Sequence, residues 1–134
     1  IAAPHAPFVF TADGEYHLYE GQNEGYAPEI AYLNKRLLEI IPIILQKSAV
    51  PPVIIIQGDH GWHKEYRMPI LNAYFLPDGG TDSLYPTITP VNTFRFVFNL
   101  YFDGKYPLLA DESFFSPAAY PMQIEKVPST CLPK

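Results

Sequence analysis

One cysteine, Cys131, is all the thiol chemistry in this 134-residue chain, so no internal disulfide framework can staple it. Positive charge is scarce as well. Nine Lys and Arg face fourteen Asp and Glu, for a net charge of −5, and no basic block is present, which argues against nucleic acid as a partner. No apolar run approaches the roughly 20 residues that a membrane-spanning helix needs. There is no glycine-rich phosphate loop of the required spacing, no internal repeat and no low-complexity tract. The opening Ile1-Ala2-Ala3-Pro4 has no basic region followed by an apolar core, so it does not read as a signal peptide. It reads as an entry into the middle of something larger. No nucleophile stands out: Ser48, Ser83, Ser113, Ser116, Thr81 and Thr87 lack a strand-to-helix elbow, and Cys131 has no base beside it.

What is present can fill a core: 48% of residues are hydrophobic and 15% aromatic. The most informative stretch is Val53-Ile54-Ile55-Ile56, then Gln57, then Gly58-Asp59-His60-Gly61. The run is short, β-branched and bounded by Pro51-Pro52 and a glycine. That pattern reads as a strand buried on both faces within a parallel sheet, and ligands in such sheets sit beyond the carboxyl ends of the strands. Before it, residues 5–10 form a plausible first strand, and residues 11–25 a polar loop. A helix is expected over about 28–47, with Pro28 in its first turn and an apolar stripe of Ile30, Leu33, Leu37, Ile41 and Ile44. Pro42 predicts a kink near Leu38 or two shorter helices. After the buried strand come a second strand at 70–76, a turn at Asp78-Gly79-Gly80, and a helix opened by Thr89 as N-cap and Pro90 at its first position. Val91, Phe94, Phe98 and Tyr101 make its apolar face. From Leu108 onward only aromatic, proline-rich coil is visible. The implied fold class is α/β, a mostly parallel sheet with flanking helices, although three strands and two helices make it thin.

Asp59 and His60 stand where a strand breaks into a turn. A carboxylate with an imidazole suits Zn or Mn better than Mg or Ca, which prefer oxygen ligands. The plainer alternative is an Asp that caps backbone N–H groups in a glycine turn. His5 opens the first strand and, for a site beyond the carboxyl ends, stands at the wrong edge of the sheet. His63, Lys64 and Arg67 follow the motif. A cationic loop beside a metal could hold an anionic substrate, with Arg67 offering a two-pronged fork, and Trp62 could wall the pocket. The alternative is a solvated loop.

Together, His5-Ala-Pro-Phe, residues 26–48, Val53-Ile-Ile-Ile-Gln-Gly-Asp-His-Gly, Ile70-Leu-Asn-Ala-Tyr-Phe-Leu-Pro and Thr89-Pro-Val-Asn-Thr-Phe-Arg-Phe form a series that resembles the carboxy-terminal half of sulfatase-like proteins. These belong to the alkaline phosphatase superfamily, and the lipoteichoic-acid-synthase-like branch is nearest. The resemblance covers about residues 4–116. It implies a metal-dependent site for phosphate or sulfate esters, in which metal ions stabilise charge during in-line displacement. It makes Asp59 and His60 metal ligands, and His5 a catalytic residue that touches the substrate or a second metal. Lys64 and Arg67 become substrate-binding cations. The implied cofactor is a divalent metal, Mn or Zn favoured and Mg or Ca possible.

The family's nucleophile and an acidic ligand come from an amino-terminal half with no counterpart among these residues. The resemblance therefore implies the carboxy-terminal part of a larger alkaline-phosphatase-like domain over residues 1–116, with a proline-rich tail over 117–134. Such a part would be inactive alone and would pair with the missing half or self-associate. The parent would be extracytoplasmic and membrane-anchored. A non-catalytic anion-binding or interaction module of the same fold is the alternative.

Overall fold

The computed structural model of the chain describes residues 3–21, 24–61 and 67–128. The chain divides into two compact units, Ile1–Pro52 and Val53–Lys134.

In the first unit, the segment expected to be a strand forms a single antiparallel bridge, Phe10 to Tyr16. Backbone bonds from His17 N–H to Val9 O (3.0 Å) and Tyr19 N–H to Phe8 O (3.2 Å) continue this narrow ribbon. Its tip turns through Gly14, whose φ of +87° suits glycine, and a Cβ there would strike the Tyr32 ring. Helix α1, Tyr26–Lys47, follows. Its first turn holds the ribbon: Glu29, 1% exposed, accepts the backbone N–H of Val9 (2.6 Å) and Phe10 (3.3 Å) on one carboxylate oxygen. Helix α1 is assigned without a break through Pro42, where two shorter helices were an alternative. Pro42 deprives the Leu38 carbonyl of its usual donor, but Leu38 is 75% exposed, so water can satisfy that oxygen.

The second unit corrects the expected fold class. The described residues hold two separate two-stranded antiparallel sheets, not a mostly parallel sheet flanked by helices. Strand β1, Ile54–Gln57, pairs with β2, Asn72–Phe75, in the register Ile54–Phe75 to Gln57–Asn72. No helix is described between them, and a parallel pairing needs a crossover; the chain folds back on itself instead. The β-branched run is consequently half-buried rather than covered on both faces. A 3₁₀ turn, Gly80–Ser83, leads to helix α2, Pro90–Tyr101. The stretch read as coil contains a hairpin, β3 (Ser113–Phe115) with β4 (Glu125–Val127).

Helix α2 turns a different face inward than its apolar spacing predicts. Its buried residues are Asn92, Thr93 and Val97, whereas Val91, Phe94 and Phe98 are exposed. The reason is a segment laid along the helix. Asn99 donates to Tyr106 O (2.7 Å) and accepts from Tyr106 N–H (2.8 Å). Asn92 does the same for Leu109, at 2.8 and 2.9 Å, and Arg95 donates to Pro107 O at 3.0 Å. Side-chain amides thus replace strand partners for an extended backbone, and Asn92 can be buried because its amide is paired. The reversal that makes this possible runs through Asp103, at φ +51°, and Gly104, whose N–H bonds to Phe98 O at 3.0 Å.

Candidate functional site

Asp59 and His60 follow the end of β1 directly. Two backbone bonds lie beside them: Gly58 N–H donates to Leu71 O (2.9 Å) and Gly61 N–H donates to Arg67 O (2.8 Å). Asp59 spends one oxygen on the N–H of His60, at 3.0 Å, as the plainer alternative requires. Its other oxygen lies 3.6 Å from His60 Nε2. His60 Nδ1 stands 2.8 Å from the Gly61 carbonyl. A carbonyl only accepts, so in the neutral imidazole this contact places the proton on Nδ1 and leaves Nε2 as the nitrogen that can ligate. Metal-ligating histidines characteristically donate their second nitrogen in this way.

These distances permit a test of metal fit. Two ligand atoms about 2.1 Å from a tetrahedral zinc stand about 3.4 Å apart. The 3.6 Å between the Asp59 oxygen and Nε2 is close to that edge, so the pair fits two positions of a coordination sphere. It fills no more than two: among the described residues no group of three or more His, Cys, Asp or Glu side chains converges. Both side chains are open to solvent, 90% for Asp59 and 40% for His60.

Asp59, His60 and Arg67 line one open groove of the second unit, about 810 Å³ in volume. Arg67 makes no ion pair among the described residues, so its charge is available to an anion there. Asn72 and Tyr74 of β2 also line the groove, as do Tyr85, Ile88 and Phe114. His5 belongs to the first unit; it is exposed, with Nδ1 2.7 Å from the Ala6 carbonyl. Trp62, His63, Lys64 and Cys131 lie outside the described residues.

The sequence gives no sign of the groups that brace Tyr85 and Thr89, which also line the groove. Asp111 is their hub. One of its oxygens accepts Thr89 N–H (2.7 Å), the Thr89 hydroxyl (2.7 Å) and Asn92 Nδ2 (3.1 Å); the other accepts the Tyr85 hydroxyl (2.7 Å). Burial alone would raise the Asp111 carboxyl, but the bonds from Thr89, Tyr85 and Asn92 outweigh it and hold the group below its ordinary value. Tyr85 moves the other way: burial, then its bond to the Asp111 carboxylate, push the phenol up to about 12. Thr89 precedes α2 as expected, yet its hydroxyl serves Asp111 and makes no capping bond to the helix.

Comparison with protein-family models, with curated proteins and with solved structures returns no match for this chain. No described helix is long and apolar enough to cross a membrane.

Proposed function

We propose that this chain supplies the metal-binding part of a sulfatase-like hydrolase or transferase acting on phosphate or sulfate esters, with the nucleophile contributed from outside these residues. The observation that carries the proposal is the Asp59–His60 pair: two donor atoms 3.6 Å apart, with the imidazole tautomer set by Gly61. The resemblance of the Gly58-Asp59-His60-Gly61 segment to the sulfatase-like pattern supports it. Asp59 and His60 would hold a divalent ion, Zn or Mn by the mixed oxygen and nitrogen donors. The ion would supply Lewis-acid stabilisation of charge on the transferring group. Arg67 would orient the anionic ester through its fork. His5 and Lys64 retain their proposed substrate roles. The remaining ligands and the nucleophile would come from a complementary half or a second copy, and the parent protein would work outside the cytoplasm.

Calorimetric titration with Zn²⁺ and Mn²⁺ tests this. The chain should bind weakly, and Asp59→Asn and His60→Ala should each abolish the binding. Binding that survives both substitutions refutes the assignment. The non-catalytic reading, an anion-binding module, is favoured by one observation: the described residues offer two converging ligands and not three. It predicts sulfate or phosphate binding that needs Arg67 and is indifferent to the metal.

A further inference from the structure

A polar cluster built around one buried hydroxyl adjoins the groove and is not explained by packing alone. Thr93, in the first turn of α2, is fully buried. Its hydroxyl accepts from Gln57 Nε2 at 3.1 Å and bonds the Tyr74 hydroxyl at 2.7 Å. Gln57 Nε2 also donates to Asn72 Oδ1 (3.0 Å), and Asn72 passes its own Nδ2 on to the Ile88 carbonyl (3.3 Å). Gln57 thereby commits both amide hydrogens, and Asn72 has one orientation that satisfies both neighbours. A fully buried hydroxyl contributes little net stability over an apolar group of the same shape when its partners are also replaced. What a fully paired network does provide is a unique geometry.

The cluster's members are placed where that geometry matters. Gln57 ends β1, two residues before Asp59. Asn72, Tyr74 and Ile88 line the groove that Asp59 and His60 also line. One hydroxyl on α2 thus connects the end of β1, the inner face of β2 and, through Asn72, the turn before α2.

We propose that Thr93 and Gln57 are positioning residues for the Asp59–His60 pair. They fix the angle at which the loop leaves β1, and through it the Nδ1–H tautomer of His60 and the approach of its Nε2 to the Asp59 carboxylate. The proposal rests on the reading of Asp59 and His60 as metal ligands for its purpose, but its geometry is measurable without any metal.

The test uses the full chain labelled with ¹⁵N, at a pH where His60 is neutral, with ring nitrogen shifts and amide exchange as readouts. Wild type should show His60 protonated on Nδ1. Thr93→Val should lose that preference and speed exchange at Gly58 and Gly61, while Thr93→Ser should restore both. Gln57→Leu, at an exposed position, should reproduce the loss if Thr93→Val does not fold. An unchanged tautomer and unchanged exchange in folded Thr93→Val or Gln57→Leu overturn the proposal. A parallel Zn²⁺ titration separates it from the reading beneath it: Thr93→Val should weaken binding roughly tenfold, in line with the effect of groups that orient ligands. If Asp59→Asn and His60→Ala leave Zn²⁺ binding intact, the metal reading fails while the tautomer still decides the positioning claim.

Discussion

Replacing Asp111 with Asn should destabilise the second unit by about 2 kcal/mol near neutral pH, and that loss should fade in acid. The carboxylate accepts four hydrogen bonds, from Thr89 N–H, the Thr89 hydroxyl, Asn92 and Tyr85. Bonds to a charged group contribute about 1.5–3 kcal/mol each, but bonds that share one acceptor do not add. Asn keeps the shape and one acceptor oxygen. It loses the charge, and its new amide hydrogens face the Tyr85 hydroxyl, which already accepts from Asn92 at 3.0 Å. Asp111→Ala removes every acceptor and should cost more, about 3–4 kcal/mol.

The pH dependence follows from the same contacts. The folded carboxyl is held below its ordinary value, so its contribution is complete above the unfolded value of about 3.9 and disappears as pH falls through the folded one. The gap between wild type and Asp111→Asn should therefore be constant from neutrality to about pH 5 and then close. Urea unfolding of both proteins across acidic pH, followed by Tyr fluorescence, measures the gap. Amide exchange at Tyr106 and Leu109 should rise in the variant, because the segment on α2 loses its anchor at one end. Parallel stability curves down to about pH 2, or a loss below about 0.5 kcal/mol at neutrality, would refute the account of Asp111 as the hub.

Two further outcomes are expected. Glu29→Ala should leave Val9 and Phe10 N–H without their acceptor and cost the first unit about 2–3 kcal/mol, read as faster exchange at those two amides; unchanged exchange there would show that the ribbon does not depend on Glu29. Gly104→Ala would place a Cβ 2.8 Å from the Phe98 carbonyl oxygen, a backbone atom that cannot step aside, so a loss of about 1–3 kcal/mol in thermal unfolding is expected, and a neutral effect would count against the observed reversal.

The helices were the most legible part of this chain, and for a physical reason. Their signals are local: apolar residues at spacings of three and four mark α1, and Thr89-Pro90 marks the start of α2. The two strands of the first sheet were legible as segments, since β-branched and aromatic residues cluster there. Their direction was not. An apolar run such as residues 53–56 is expected in a parallel sheet because helices cover both faces, but nothing in the run itself states whether a crossover follows it. The link between Gln57 and Asn72 is long enough for a crossover but has no helical period in it, and that absence favours a direct antiparallel return.

The inward face of α2 was hidden for a different reason. Apolar periodicity assumes that water is the only partner available to polar side chains. Here Asn92, Arg95 and Asn99 find backbone partners in residues 106–109, and Thr89 and Asn92 find Asp111. Those residues recur at helical spacing, so a polar stripe was present in the sequence, mostly of uncharged groups that bond well to a peptide backbone. Such a stripe reads as a solvated face until the segment that lies on it is known. The same reasoning accounts for the site. Asp59 and His60 were visible because two metal-capable residues in a glycine turn are a local pattern. Thr93, Gln57 and Asp111 were not, because their meaning lies in contacts between segments 15 to 36 residues apart. A site assembled this way has its chemistry written locally and its geometry written at a distance. Substitutions at Thr93 or Asp111 can therefore disturb the groove without touching Asp59 or His60.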